Sequence, residues 1–169
     1  MATKEELLEK AYNLGFELNK NHGNCAQCVL LAAQEILGLK NDLMIKAATG
    51  LAGGMMLGVS ACGALSGGIM AIGQKYGREH SDLIDPEPRP NKTPELAKKL
   101  HERFIEEYGS SACSDLQQRI FGRSYDWWDL AERQQYLEAE AQLAKCSEIV
   151  GKGARWVVEL LLEEDQKAK

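Results

Sequence analysis

Five cysteines, Cys25, Cys28, Cys62, Cys113 and Cys146, are the residues of this chain best equipped for chemistry. A thiolate attacks disulfides and binds soft metal ions. In a reducing compartment such residues are more often ligands or exchange-active thiols than a disulfide framework, and an odd number leaves at least one apart. Cys25-Ala26-Gln27-Cys28 is a CxxC pair, which permits thioredoxin-like exchange, although the expected βαβ setting is missing. Val29 follows Cys28 where covalent c-type haem attachment needs histidine, so no c-type haem is expected. The intervals of 3, 34, 51 and 33 residues match neither zinc-finger nor ferredoxin spacing. A lone cysteine often only fills core space, so the argument turns on where the elements put these five.

Helix signals follow one another, and no segment alternates with period two, so the chain reads as all-α. Thr3 and Glu6 form a capping box ahead of a helix to about Lys20, with Leu7, Ala11, Leu14 and Leu18 on one face. Asn24 caps a second helix from Cys25 to Leu37, and Asn41 or Asp42 starts a short third through Ala48. After a glycine-rich bend, Ser60 is expected to cap a fourth helix carrying Cys62 and ending near Tyr76-Gly77. The proline-bearing stretch Arg78 to Lys92 reads as a loop, and Thr93-Pro94 opens a fifth helix closed by Gly109. Ser110-Ser111 precede a short helix with Cys113, Asp126 to Leu143 forms one or two helices, and a final helix spans Cys146 to Glu164. Residues 165–169 should fray. Cys25, Cys62, Cys113 and Cys146 thus each fall at or near a helix N-terminus, where free backbone N–H groups and the helix dipole favour a thiolate. Cys28 sits outside that pattern.

Length and composition suit a single domain over residues 1–169, a multi-helix bundle with cysteines at its helix starts. Twenty-five acidic against twenty basic residues leave a net charge of −5 without a basic block, which argues against nucleic acid as a partner. The charged N-terminal residues lack a secretory pattern, and a cytoplasmic location is expected. Residues 47–74 contain no charged side chain, yet eight glycines interrupt them, so a buried hairpin is favoured over a membrane span. The glycines Gly50, Gly53, Gly54 and Gly58 lack the strand and Gly-Lys-Ser/Thr ending of a phosphate loop. His22, three residues before Cys25, could tune or ligate with it. Trp127 and Trp128 suit core or subunit contact, and with the uncharged helix they suggest a homodimer.

Gly23-Asn24-Cys25, the CGAxxG run Cys62-Gly63-Ala64-Leu65-Ser66-Gly67, and the single cysteines Cys113 and Cys146 resemble the C_GCAxxG_C_C family of redox-active proteins. The resemblance covers roughly Leu7 to Leu161. It implies a redox site made by Cys25, Cys62, Cys113 and Cys146, with Gly63, Ala64 and Gly67 as cofactor-binding motif residues and Cys28 as an extra thiol. The segment Arg123 to Leu143 is longer than the family's usual connection. A related module is similar to the non-haem part of split-Soret cytochromes, which implies an iron–sulfur cluster or other metal for electron transfer or sensing, served by a redox partner. A thiol–disulfide oxidoreductase and a zinc-stabilised structural or adaptor protein are the rival readings of the same residues.

Overall fold

Helix α1 (Lys4–His22) starts as the capping box requires: Glu6 N–H donates to Thr3 Oγ1 at 3.2 Å, and Thr3 N–H to Glu6 Oε2 at 2.8 Å. The computed structural model describes residues 2–56, 58–84 and 91–167. Next come α2 (Cys25–Leu37) and α3 (Asp42–Ala47), which runs into a 3₁₀ turn over Ala48–Leu51. Then follow α4 (Gly63–Tyr76), α5 (His80–Ile84), α6 (Thr93–Tyr108), α7 (Cys113–Phe121), α8 (Leu130–Leu143) and α9 (Lys145–Lys167). The protein is a single all-α domain. Among the described residues no strand forms, and the one extended pairing is an isolated antiparallel bridge between Ala61 and Ala112.

The core is a stack of helices pressed together through small residues. The buried face of α1 is Leu8, Ala11, Gly15 and Asn19, turned slightly from the expected Leu7-Ala11-Leu14-Leu18 stripe, of which Ala11 is fully buried and Leu14 and Leu18 pack at the core's edge. Gly15 explains the turn, because a Cβ there would lie 2.9 Å from the Cβ of Ala154 on α9. On α2, Val29, Leu30, Ala32 and Ala33 are fully buried, which makes it central as its apolar run predicts. It packs along α4, whose Ala64, Leu65, Ala71 and Ile72 are likewise buried. A Cβ on Gly67 would overlap the carbonyl oxygen of Ala26 and stand 2.9 Å from its Cα, so the two helices meet backbone to backbone. No helix among the described residues is long and apolar enough to cross a membrane. The uncharged stretch breaks instead into the 3₁₀ turn, an irregular turn and α4.

Four boundaries differ from expectation. Ser60 does not cap α4; Cys62 itself occupies the N-cap, because Ser60 is held in the bridge to residues 111–113. The Arg78–Lys92 connection contains α5, whose Asp82 carboxylate accepts from Glu79 N–H at 2.9 Å, while residues 85–90 lie outside the described residues. Lys92, not Thr93, is the N-cap of α6; Asn91 Oδ1 accepts from Thr93 N–H at 2.9 Å. Helix α9 does not fray at residue 165 but continues to Lys167, since Tyr76 Oη donates to Asp165 at 2.8 Å and Lys75 pairs with the same carboxylate. Residues 168 and 169 of the expected tail lie outside the described residues.

The contact at Gly67 makes a stability prediction. Gly67→Ala should lower unfolding free energy by roughly 1–3 kcal/mol, because backbone atoms of Ala26 cannot move aside. Gly73→Ala, on the same helix with no neighbour within 4 Å of its Cβ, should instead stabilise by about 0.5–1 kcal/mol. Urea midpoints of the two variants against the unmodified protein read the contrast.

Candidate four-cysteine site

Cys25 is the first residue of α2. Its N-cap Asn24 adopts φ 62°, and the Asn24 side chain accepts from Gln27 N–H at 3.2 Å. The cap is anchored laterally, since Asn24 Nδ2 donates to Thr49 O at 3.1 Å and Gln27 Nε2 to Ile45 O at 2.9 Å. On its inner side the Cys25 sulfur lies against Gly63, where a Cβ would collide with it and stand 3.1 Å from Ala52 Cα. The backbone N–H groups of Gly53, Ala26 and Gly63 lie close enough to this sulfur to favour its charged form. Cys28 turns away: it is buried, and its thiol donates to Gly23 O at 3.0 Å.

Cys62 and Cys113 are positioned as a pair. Cys62 N–H donates to Ser111 O at 2.8 Å and Cys113 N–H to Ser60 O at 2.9 Å, on either side of the Ala61–Ala112 bridge. The two-bond clasp sets Cys62 at the N-cap of α4 and Cys113 at the first residue of α7. Gly53 to Met56 make it possible to bring this pair near Cys25. All four have positive φ, from 58° to 62°, a left-handed turn that only glycine enters without strain. A Cβ on Gly54 would stand 2.8 Å from the Cβ of Cys113 and 2.9 Å from Ser60 O.

Cys146 is the second residue of α9, and its place depends on α8. Glu140 accepts from Cys146 N–H and Ser147 N–H, both at 2.8 Å, and from Ser147 Oγ at 2.7 Å. Asn19 Nδ2 of α1 donates to the same Ser147 hydroxyl at 3.1 Å. One carboxylate thus closes the start of α9 and ties it to α8. The residues leading into α8 fold over the site as an aromatic cluster of Phe121, Tyr125, Trp127 and Tyr136, with Trp127 and Tyr136 ring centres 4.8 Å apart.

Cys25, Cys62, Cys113 and Cys146 all line one cavity of about 460 Å³, and Cys28 does not. Its inner wall includes Gln117, Trp127 and Tyr136, and its rim carries the exposed Lys20, His22 and Arg133. All five thiols are free. Among the described residues no three His, Cys, Asp or Glu side chains meet closely enough to hold a single metal ion. The donor chemistry, four sulfurs around one space, suits a soft metal.

The geometry agrees with what comparison with known proteins shows. Residues 23–160 match the family model described as “Putative redox-active protein (C_GCAxxG_C_C)”. The chain belongs to the C_GCAxxG_C_C family. Neither the curated proteins nor the solved structures include a match to it.

In this C_GCAxxG_C_C protein the motif residues act mainly through their backbones. None of Gly63, Ala64 and Gly67 lines the cavity: the backbone N–H groups of Gly63 and Ala64 lie close enough to the sulfurs of Cys25 and Cys62 to favour their charged forms, while Gly67 is a helix-packing contact. His22 reaches only the rim. Sequence reasoning did not single out Gln117, whose Nε2 donates to Cys113 Sγ at 3.6 Å, nor Glu140 and Tyr136. For Tyr136 and Glu140 the length of the Arg123–Leu143 connection is the one signal in the sequence, and Gln117 leaves none.

Helix starts do not make these thiols acidic. Burial pushes Cys113 up to about 12, against a partial offset from the Gln117 hydrogen bond. Burial also raises Cys25 despite three neighbouring residues' N–H groups, and raises Cys62 well above its ordinary value. Cys146 is raised by burial and then by the Glu140 carboxylate, with the Tyr136 hydroxyl opposing. Desolvation therefore outweighs the helix-start amides.

A pH dependence follows. Between the ordinary thiol value of 9.0 and the raised ones, the unfolded chain has lost protons that the folded chain still holds. Rising pH in that window favours unfolding. The melting temperature of reduced, metal-free protein should be flat near neutrality and fall progressively above about pH 9, and Cys113→Ser should make the fall shallower. Calorimetry across that range checks both.

Proposed function

We propose that this protein is a redox protein whose Cys25, Cys62, Cys113 and Cys146 hold an iron–sulfur cluster used for electron transfer or sensing. The observation supporting this reading is that four cysteines far apart in sequence line one cavity, each within the first turn or at the N-cap of its own helix. A cluster of this kind takes up and gives back single electrons. The chain's part is to hold the thiolates, to turn backbone N–H groups toward the sulfurs, and to shield the cavity with Trp127 and Tyr136. A thiol–disulfide exchanger needs accessible, acidic thiols, and these are largely enclosed.

The same reading places the protein in the cytoplasm with a separate redox partner. Two copies would pair through Trp128 and Leu130, which are 73% and 80% exposed, because the apolar face of α4 is already covered within the chain. Sedimentation should then show a dimer that Trp128→Asp dissociates; a monomer at all concentrations removes the pairing.

Anaerobic reconstitution with ferrous iron and sulfide tests the site. The protein should become coloured and retain iron and sulfide through desalting. Serine at any one of the four positions should lower bound iron at least several-fold, whereas Cys28→Ser should leave it close to that of the unmodified protein. Colourless protein holding only zinc, or loss of iron on Cys28→Ser alone, would sink the assignment.

A further inference from the structure

The indole nitrogen of Trp127 is buried in the cavity region and has no hydrogen-bond partner among the described residues. Its neighbours among the site's polar groups are engaged: Gln117 donates to Cys113 Sγ and accepts from Tyr125 N–H at 3.0 Å, and Glu140 caps α9. A buried donor left unpaired is costly and calls for an explanation.

The position of this indole is tightly specified. It packs against Tyr136 on one side. On the other it abuts Gly53, where a Cβ would stand 3.1 Å from both Nε1 and Cε2. Any side chain at residue 53 would displace the ring, and the φ of 58° there independently asks for glycine. The N–H of Gly53 lies close enough to the Cys25 sulfur to favour its charged form. Backbone and indole N–H groups therefore stand next to each other on one stretch of cavity wall, and Cys25 lies at that wall.

Indole nitrogen donates and cannot accept, and a protonated thiol is a weak acceptor. A thiolate or inorganic sulfide held in this cavity would be a strong acceptor for that N–H in so enclosed a space. We propose that Trp127 is a positioning residue whose indole N–H donates to a sulfur of the centre held in this cavity and raises its reduction potential. This rests on the iron–sulfur reading above. Reduction adds negative charge to the centre, and a donor aimed at its sulfur stabilises the reduced form more than the oxidised one.

Trp127→Phe keeps the ring and removes the N–H. After anaerobic loading with iron and sulfide, this variant should bind as much iron as the unmodified protein. At a fixed applied potential its reduced-to-oxidised ratio should fall roughly tenfold, the size of one hydrogen bond to a charged group. Equal iron with an unchanged potential overturns the proposal and leaves the cluster reading intact; an unmodified protein that takes up no iron and sulfide overturns both. If the variant does not fold or load, indole ¹⁵N–¹H spectra of the unmodified protein decide. Of the three tryptophan signals, that of Trp127 should shift or be broadened away on loading while that of Trp156 persists. An unaltered Trp127 signal overturns the proposal.

Discussion

The close approach of α4 to the start of α2 is the contact on which the site depends. Gly63 faces the Cys25 sulfur and Gly67 faces the backbone of Ala26, so α4 lies nearer to α2 than any larger residue would allow. Cys62 is the N-cap of that same helix, and the clasp from Ser60 to Ser111 carries Cys113 with it. One helix-to-helix distance therefore sets the relation among three of the four thiols. The fourth is attached through a different arrangement, the packing of α1 on α9 and the Glu140 cap, and joins the others across the cavity.

Placing thiols at helix starts and then burying them has two opposed electrostatic effects. The amides offer stabilisation to negative charge, but desolvation holds the empty site neutral. The pocket thus keeps its thiols neutral while its helix-start amides complement any negative charge that develops on sulfur. That combination protects the thiols from chance oxidation, which tracks thiolate character and exposure.

Much of the architecture is legible in the residues themselves. The Thr3–Glu6 box, Asn24, Asn41 and the glycines at 38 and 109 mark helix ends because each satisfies backbone groups locally. The pairing of residues 60–62 with 111–113 is not legible, since it joins two short extended stretches across about fifty residues and leaves no periodic trace. The left-handed turn at Gly53 to Met56 is half visible: two glycines announce a bend, while the methionines after them follow it only under tertiary constraint. The cover from Arg123 to Leu143 is the least legible part. Its helix α8 buries Tyr136 alone, so apolar periodicity has little to report, and its role comes from single residues such as Glu140.

The tie between the two ends of the described chain has a consequence for biosynthesis. Helix α1 finds its main packing partner in α9, the helix that also supplies Cys146. While a ribosome is still making the residues before α9, α1 lacks its main packing partner and has only α2 to settle on, and the fourth thiol is missing from the site. Closure waits for the stretch up to Lys167 to emerge, after which the domain can condense as a unit. The four thiols therefore come together late in the life of the nascent chain, when the cavity first acquires its fourth wall.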